Sequence, residues 1–467
     1  MCAPRLSKTP ALTHRISIVK DLTQGSLVGH VLTMAAPIAL GIVLVMLCQL
    51  VDLYFVSGLG DAAIAGVAAA GNAGFLINAF TQVLSVGTVS LVSHAVGRKD
   101  RTDANLVFNQ ALGLSVLCGA VALIAGWFLA RLYVGSLAAD QATVEAGTTY
   151  MLWFMPALAL QFTMLVMAAA LRGTGVVNPT MLIQSLTVVI NIVLAPVLIV
   201  GWGTGRPLGV AGAGLASSLA VVVGVTMLWT YLKRSGRFLV LDPSQWRPSM
   251  MQCRRILRIG LPAGGEFAMI FVFMAVIYYA LRDLGAAAQA GFGIGTRLMG
   301  LIQVPAWAIA FATGPIVGQN FGAGNSARVR ATFRQVLLLL IAIMLVATAL
   351  AEWRPQSLLG AFTTDADTIT VGAMFLKLVS LNLVAQGVLF LCTASFQGLG
   401  YTLPQLISSA TRLVTYAIPI LWLSSRPWFG IEYIAYIWYV SIATTSLQAL
   451  LSLWLLRMEF RKRLSAV

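Results

Sequence analysis

Long runs of apolar residues alternate with short polar or Gly/Pro-rich breaks along almost the whole chain. A helix that crosses a bilayer needs about 20 mainly apolar residues, and the breaks divide the chain into twelve such runs. They cover residues 34–57, 64–96, 105–131, 147–172, 180–201, 210–232, 256–281, 287–321, 332–352, 368–396, 405–424 and 431–457. The second and eighth runs are too long for one straight crossing, so each predicts a bend or an interfacial segment. The predicted fold class is an all-α membrane protein with twelve transmembrane helices.

The two halves of the chain repeat without gaps at one constant offset, the one that brings Pro37 onto Pro262. At the same offset Gly60 matches Gly285, and Gly173, Gly175 and Pro179 match Gly398, Gly400 and Pro404. Six spans per half is an even number, so both halves share one topology, which predicts two pseudo-symmetric lobes in a parallel repeat. The predicted division is an N-terminal tail 1–30, an N-lobe 31–232, an interlobe loop 233–255, a C-lobe 256–457 and a C-terminal tail 458–467.

Composition and charge support this class and orient the chain. Hydrophobic residues make up 59% and charged residues 10% of the sequence, whereas a soluble domain is about half apolar and a quarter charged. With both termini inside, the inner segments carry 22 Lys and Arg residues and the outer ones five. This bias predicts cytoplasmic termini and explains the net charge of +15 without nucleic-acid binding. The short loops and the absence of a cleaved signal peptide favour a bacterial inner membrane.

Enzyme classes find no support in the sequence. The five cysteines are scattered without CxxC pairs, and there is no clustered His/Asp/Glu set, Ser/His/Asp arrangement or Walker loop. The GFGIG at 291–295 lies between apolar segments with no preceding strand, so it does not predict a dinucleotide site. We therefore expect no enzyme activity, no cofactor and no ATP-driven transport.

Two acidic residues lie well inside predicted spans. Of the fifteen acidic residues, thirteen fall in loops, tails or span ends, and Asp52 and Glu266 remain. A carboxylate at membrane depth is costly and marks an ion, proton or substrate path. On the repeat frame the two positions differ by eleven residues, which is about three turns or about 16 Å in depth on nearly the same helix face. Asp52 should lie in the outer half of its lobe and Glu266 in the inner half of the other.

Three patterns give the chain a family resemblance. They are VDLYFVSGLG (51–60), the pair VSHAVGRKD (92–100) and VGQNFGAGN (317–325), and the pair LRGTGVVNP (171–179) and FQGLGYTLP (396–404) with GVAGAGLASS (209–218) following. In combination the chain resembles multidrug and toxic compound extrusion (MATE) transporters. The resemblance implies two six-helix lobes forming a V, cation- or proton-coupled antiport, and efflux of bulky, often cationic compounds.

The resemblance implies an N-lobe coupling site around Asp52. Many prokaryotic members combine the span 1 Asp with an Asn and a second Asp on span 5. Here Asn191 matches, Ala195 stands where the second carboxylate would be, and Ser217 on span 6 is a candidate to complete the site. One carboxylate is a weak set of ligands for Na⁺, which favours H⁺ as the coupling ion, with Na⁺ at Asp52 and Asn191 as the alternative.

The corresponding C-lobe site departs from the family pattern. Other members carry a Glu about eight residues past the span 7 Leu-Pro pair, whereas Glu266 is four past Pro262. Where some members have an acid on span 10, this chain offers only Asn382 and Gln386. Glu266 is interpreted as an auxiliary cation-binding or gating group, with an ion pair to Arg258 as the alternative.

The remaining predictions concern the cavity and the cargo. Candidate cavity-lining residues are Gln49, Tyr150, Gln161, Gln184, Asn382 and Gln386. The alternative for Gln49, Gln161 and Gln184 is helix packing, and for Tyr150 it is a position in the interfacial aromatic belt. The predicted function is a monomeric secondary antiporter that exports organic cations or drugs across a lipid bilayer in exchange for H⁺ or Na⁺. Alternatives are a lipid-linked oligosaccharide flippase, which predicts cavity-facing Arg or Lys, an exporter of another metabolite, and a channel.

Overall fold

The computed structural model describes residues 20–138, 140–235, 238–426, 430 and 434–464, so parts of both predicted tails lie outside the described residues. The described residues form α-helices joined by turns and two single-turn 3-10 helices. The α-helices are α1 Leu27–Ser57, α2 Asp61–Gly97, α3 Arg101–Gly135, α4 Gln141–Gly173, α5 Asn178–Ile199, α6 Val210–Ser235, α7 Met250–Leu281, α8 Ala286–Gly322, α9 Ser326–Trp353, α10 Pro355–Gly360, α11 Ala366–Ser380, α12 Leu383–Leu399, α13 Leu403–Ser424 and α14 Ile434–Leu464.

The twelve predicted crossings are confirmed by length and composition. Within the described residues, eleven helices are long and apolar enough to span a membrane, and α11 with α12 forms a twelfth span bent by 56°. The backbone break therefore lies in the tenth run, at Leu381–Asn382. The long second and eighth runs form uninterrupted helices of 37 residues. Each is about 55 Å long, so α2 and α8 extend past a hydrocarbon core of about 30 Å.

The repeat appears in the helix boundaries and in their caps. Helices α2, α3, α4 and α5 begin at the exact repeat equivalents of the first residues of α8, α9, α11 and α13. Gly60 and Gly285 precede α2 and α8 with φ of 101° and 93°, a backbone that suits only glycine. Asp140 and Asp365 cap α4 and α11 by accepting from the third backbone N–H that follows each of them. The fold is thus two pseudo-symmetric six-helix lobes.

The lobes meet along helices from both halves. Within its own lobe α4 packs against α2, α3 and α6, and α12 packs against α8, α9 and α14. Between the lobes α1 packs against α8, and α2 packs against both α7 and α8. Within each lobe, glycines let two helices approach closely. A Cβ on Gly66 of α2 would lie 2.9 Å from the Thr143 carbonyl oxygen of α4, and a Cβ on Gly291 of α8 would lie 2.9 Å from the Thr368 carbonyl oxygen of α11.

The lobes are joined at one end, which we call the basic end. It carries the turns 98–100, 174–177, 323–325 and 400–402, and the charge bias predicts that it is cytoplasmic. Here His94 Nε2 donates to the Gly398 carbonyl at 2.6 Å, and Gln319 Nε2 donates to the Gly173 carbonyl at 2.9 Å. His94 and Gln319 are equivalent positions of the repeat, as are their acceptors. Each lobe therefore bonds the other through the same geometry.

The segment before α1 also bridges the lobes at the basic end. Leu22 is fully buried; its N–H donates to Gln319 Oε1 at 3.0 Å, and its carbonyl accepts from Asn320 Nδ2 at 3.2 Å. Two residues earlier, the Lys20 N–H donates to the Thr174 carbonyl at 3.1 Å. This short segment contacts α8 of the C-lobe and the α4–α5 turn of the N-lobe, so it strengthens the closure.

The connection between α6 and α7 is shorter than the predicted loop 233–255. Helix α6 continues through Ser235 and α7 begins at Met250, because a helix can extend beyond its apolar run when charged residues form its terminal turns. The connection is fixed to α3 by side-chain amides: Asn105 donates to the Phe238 carbonyl at 2.8 Å and accepts from the Val240 N–H at 2.6 Å.

Candidate functional site

Asp52 lies five residues before the end of α1, far from the basic end, and it is half-buried. Asn191 on α5 is 6% exposed. With its amide nitrogen turned towards α1, Asn191 donates to Asp52 Oδ1 at 3.1 Å, and its oxygen accepts from the Ser217 N–H at 3.2 Å and hydroxyl at 2.9 Å. The structure therefore brings Asp52, Asn191 and Ser217 together in one chain of hydrogen bonds across α1, α5 and α6.

The surroundings of this chain are mostly apolar. Ala195, at the position where a second carboxylate was considered, is fully buried in a cluster with Val56, Ile199 and Ala213. Tyr150 packs against the same cluster and stacks on Phe154 at 5.1 Å. Asp52 consequently has no acidic partner among the described residues that line this part of the N-lobe, and its neighbours are an amide, a hydroxyl and a thiol.

Cys48 is a member of this site that the sequence analysis did not single out. Its sulfur lies 3.9 Å from Asp52 Oδ2 and 3.2 Å from the Asn191 amide. The spacing of four residues from Asp52 on one helix could have indicated it, because such residues share a helix face. The thiol therefore contacts both the acid and the amide.

Of the other predicted N-lobe residues, Gln184 and Gln161 lie away from Asp52 in depth, whereas Gln49 is one turn before it on α1. Gln49 is exposed on α1. Gln184 precedes Asn191 by seven residues on α5, about 10 Å nearer the basic end, and its buried amide nitrogen has no hydrogen-bond partner. Gln161 follows Tyr150 by eleven residues on α4, about 16 Å nearer the basic end. Tyr150 and Gln49 therefore lie at the level of the acid, and Gln161 and Gln184 do not.

Glu266 is in a separate polar cluster inside the C-lobe. Its Oε1 accepts from the Ser409 hydroxyl at 3.3 Å, and Ser409 in turn accepts from Gln448 Nε2 at 3.3 Å. The ion pair with Arg258 that the sequence left open is not formed in the described structure, where Ser409 on α13 donates to Glu266 instead. Glu266 lies fifteen residues before the end of α7, deeper towards the basic end than Asp52 in its lobe.

Asn382 and Gln386 belong to the broken tenth span and not to the Glu266 cluster. Asn382 is buried at the break between α11 and α12 and donates to the Ser441 hydroxyl at 3.4 Å, while its Oδ1 has no partner. Gln386 is half-buried one turn later. In the described residues, no group of three or more His, Cys, Asp or Glu side chains could hold a metal ion.

Two duplicated six-helix lobes that cross the membrane, with an isolated acid inside each, define a polytopic membrane transporter. The MatE family model matches residues 37–197 and 262–423, one copy in each half. The chain therefore belongs to the multidrug and toxic compound extrusion (MATE) family, whose members are transporters and not enzymes.

Several known proteins are similar over most of this chain. A "FAD transporter" of Shewanella oneidensis is 24% identical, with 85% of this chain and 88% of that protein covered. A "Probable multidrug resistance protein NorM" of Thermotoga maritima is 25% identical over 81% of each chain. A crystal structure of a MATE protein in complex with MaD3S has a TM-score of 0.87 at 23% identity, covering 96% of this chain and 98% of that one. That structural likeness establishes the fold.

Proposed function

We propose that the protein is a secondary active antiporter that exports organic cations or drugs in exchange for protons, with Asp52 as the coupling carboxylate. The observation that carries the proposal is the bonded chain Asp52–Asn191–Ser217 in an apolar lobe interior without a second acid among the described residues. In the proposed orientation both termini are cytoplasmic, the membrane is a bacterial inner membrane, and the basic end faces the cytoplasm. The excess of Lys and Arg at that end supports this orientation.

The hydrogen-bond chain suits a group that gains and loses a proton. When Asp52 is charged, the Asn191 amide donates to it and its oxygen accepts from Ser217. When Asp52 is protonated, the amide can turn its oxygen to the carboxyl, since Ser217 Oγ then accepts from the amide nitrogen at the same 2.9 Å. Both protonation states keep their bonds satisfied, so protonation removes a costly charge without leaving an unpaired polar group.

This arrangement favours H⁺ over Na⁺. A sodium ion needs several oxygen ligands, whereas towards the charged Asp52 the Asn191 amide presents its nitrogen. In that orientation the Asp52 carboxylate is the only anionic oxygen ligand that the described residues provide for a sodium ion here, because Ala195 has no side-chain oxygen. Na⁺ remains the alternative ion, and it requires the amide to turn its oxygen towards the ion.

Asp52 would couple to transport through α1, which packs against both lobes. Protonation relieves the cost of a charge in an apolar site and lets α1 settle against α5, reducing the N-lobe cavity and expelling the cargo. Glu266, bonded to Ser409, would act as an auxiliary cation-binding or gating group in the other lobe.

A second candidate function is export of a metabolite that carries acidic groups. The Shewanella oneidensis relative is named for transport of FAD, while other relatives are named for multidrug export. One observation in this chain favours the second candidate: Arg412 lies in the middle of α13 and forms no ion pair in the described structure.

The test is cargo efflux from proteoliposomes under an imposed proton or sodium gradient, applied separately. Asp52→Asn should lose most pH-gradient-driven efflux, whereas Asp61→Asn, an exposed acid at the start of α2, should retain it. Full efflux by Asp52→Asn would refute the proposal, and efflux driven by sodium alone would identify Na⁺ as the ion. An unchanged rate and substrate range in Glu266→Gln would reduce that residue to a structural role.

A further inference from the structure

The C-lobe contains the repeat counterpart of the Asp52 site, and its chemistry is inverted. In the repeat register Asp52 corresponds to Ile277, Cys48 to Phe273 and Asn191 to Tyr416. Thr187, which faces α6 one turn before Asn191, corresponds to Arg412. The position of the N-lobe acid is therefore occupied by a buried aliphatic residue, and a cation lies nearby.

Arg412 points into the lobe and not to the lipid. It lies four residues after Ser408 and four before Tyr416, which are both buried, so the three share one face of α13. Most exposed residues of α13 are on the other side: Leu403, Ile407, Val414, Ile418 and Leu421. Pro419 and Trp422, which are also exposed, lie in the last two turns of the helix. Arg412 is the tenth of the 22 residues of α13, too far from either helix end for its side chain to reach the membrane surface.

The guanidinium is stacked but unpaired. Its central carbon lies 4.3 Å from the centroid of the Phe273 ring, which in turn packs against Tyr416 at 4.5 Å. Within the described structure the guanidinium has no acidic partner, and its Nε is buried without a hydrogen bond. Glu266, the C-lobe acid, bonds Ser409 instead. Stacking on one phenyl ring recovers only part of the cost of holding this charge at membrane depth.

A second polar group near Arg412 is also unpartnered. Tyr416 Oη, one turn further along the same face of α13, is fully buried with no hydrogen-bond partner. A planar guanidinium with one face against an aromatic ring presents its N–H edge to a carboxylate or phosphate. Phe273 and Tyr416 supply the aromatic surface beside the guanidinium, which suits an organic framework.

We infer that Arg412, assisted by Tyr416, binds the acidic group of the transported compound inside the C-lobe. The cargo class is then a bulky organic compound with a carboxylate or phosphate, including zwitterions. This inference deepens the proposed function, because it rests on the chain being an exporter of organic compounds.

The test compares binding of two dyes to purified protein in detergent: a zwitterionic rhodamine with a free carboxylate and its methyl ester. Arg412→Gln should raise the Kd for the acid at least about tenfold more than for the ester, the effect of losing one charge-assisted hydrogen bond. Arg412→Lys keeps the positive charge but lacks the planar guanidinium, so its acid-to-ester ratio of Kd values should lie between those of wild type and Arg412→Gln. Arg297→Gln, which removes an exposed arginine from α8, should leave the acid-to-ester ratio unchanged.

The inference would be overturned if Arg412→Gln weakened binding of both dyes equally or left the acid-to-ester ratio of Kd values unchanged. It would also be overturned if the wild-type protein bound neither dye. Circular dichroism and size-exclusion profiles identify a misfolded variant, and in that case the decision rests on Arg412→Lys. Because binding is measured without a gradient, it does not depend on Asp52. We expect Asp52→Asn to lose proton-driven efflux but to keep the wild-type acid-to-ester ratio of Kd values. That result would test the coupling role of Asp52 separately from the binding role of Arg412.

Discussion

Replacing Gly97 with alanine should open the basic end of the protein. A Cβ at Gly97 would lie 2.9 Å from the Ala323 backbone nitrogen and closer still to the Gln319 carbonyl oxygen. Gly322 is its repeat equivalent, and a Cβ there would lie 2.8 Å from His94 Cα. These obstacles are backbone atoms that cannot rotate away, so α2 and α8 would have to separate.

The cost can be worked from the interlobe hydrogen bonds. Relieving the clash requires roughly 1 Å of separation, since carbon–oxygen contacts are ordinarily above about 3.2 Å. That movement stretches the His94–Gly398 and Gln319–Gly173 bonds, now 2.6 and 2.9 Å, beyond useful hydrogen-bond length. At about 0.6–1 kcal/mol per bond inside a membrane protein, the closed state loses about 1–2 kcal/mol. Its population relative to the open state should fall roughly five- to thirtyfold.

The measurement is a distance distribution between spin labels at Thr102 and Ala327, which are exposed, repeat-equivalent positions in the first turns of α3 and α9. Native cysteines are first replaced. Gly97→Ala should shift the distribution towards longer distances. Gly71→Ala, on the same helix α2, is the matched control, because a Cβ there meets no neighbouring heavy atom within 4 Å. An unchanged distribution in folded Gly97→Ala, or an equal shift in Gly71→Ala, would refute the reasoning.

Two further predictions concern helix ends and the hydrogen bonds beside Pro156 in α4. The Thr143 N–H holds the pKa of Asp140 below the ordinary carboxyl value, and the Thr368 hydroxyl does the same for the pKa of Asp365. The stabilisation of the folded state by these carboxylates is complete above the ordinary pKa and is lost as the pH falls through the lowered pKa. The variant that combines Asp140→Ala and Asp365→Ala should therefore have a lower Tm than wild type at neutral pH. The Tm difference should become smaller on acidification, and a difference that stays constant with pH would contradict this prediction. Ser218→Ala removes hydrogen bonds to the Trp153 carbonyl at 2.6 Å and from the Ala157 N–H at 3.2 Å, beside Pro156. Thermal unfolding should show that the free energy of unfolding falls by about 1–2 kcal/mol. The control Ser136→Ala, at an exposed position, should leave it unchanged.

The number of spans and the register of the repeat were predictable because both depend on local sequence. Apolar run length determines which segments can cross a bilayer, and Gly and Asp fix the turns between them. Gly60 and Gly285 needed a positive φ, and Asp140 and Asp365 needed only an N–H three residues ahead. The meeting of Asp52 with Asn191 was also accessible, although it came from family resemblance, since two residues so far apart in the sequence carry no information about their distance in space.

The remaining features depend on contacts between distant helices. The break at Leu381–Asn382 follows no proline or glycine; the Ser380 carbonyl there accepts from Thr348 on α9 at 3.0 Å, a contact that hydrophobicity alone cannot reveal. The N-lobe carries Pro156 at the residue equivalent to Leu381, yet α4 stays continuous. Likewise, a lone Arg412 in an apolar run gives no sign of whether it faces lipid, an acid or an aromatic ring.

The two lobes keep their symmetry where they touch and lose it where they enclose their interiors. His94 and Gln319 are different residues, yet each supplies one N–H to an equivalent carbonyl, because closing the basic end requires both lobes to move against each other about one axis. Inside the lobes no such requirement holds. Asp52 faces an amide and a hydroxyl, whereas its counterpart Ile277 lies near a stacked arginine. A single compound and a single ion bound in these interiors, as we propose, would break the two-fold relation and leave the duplicated interiors free to diverge. The charge inversion between Asp52 and Arg412 fits that freedom.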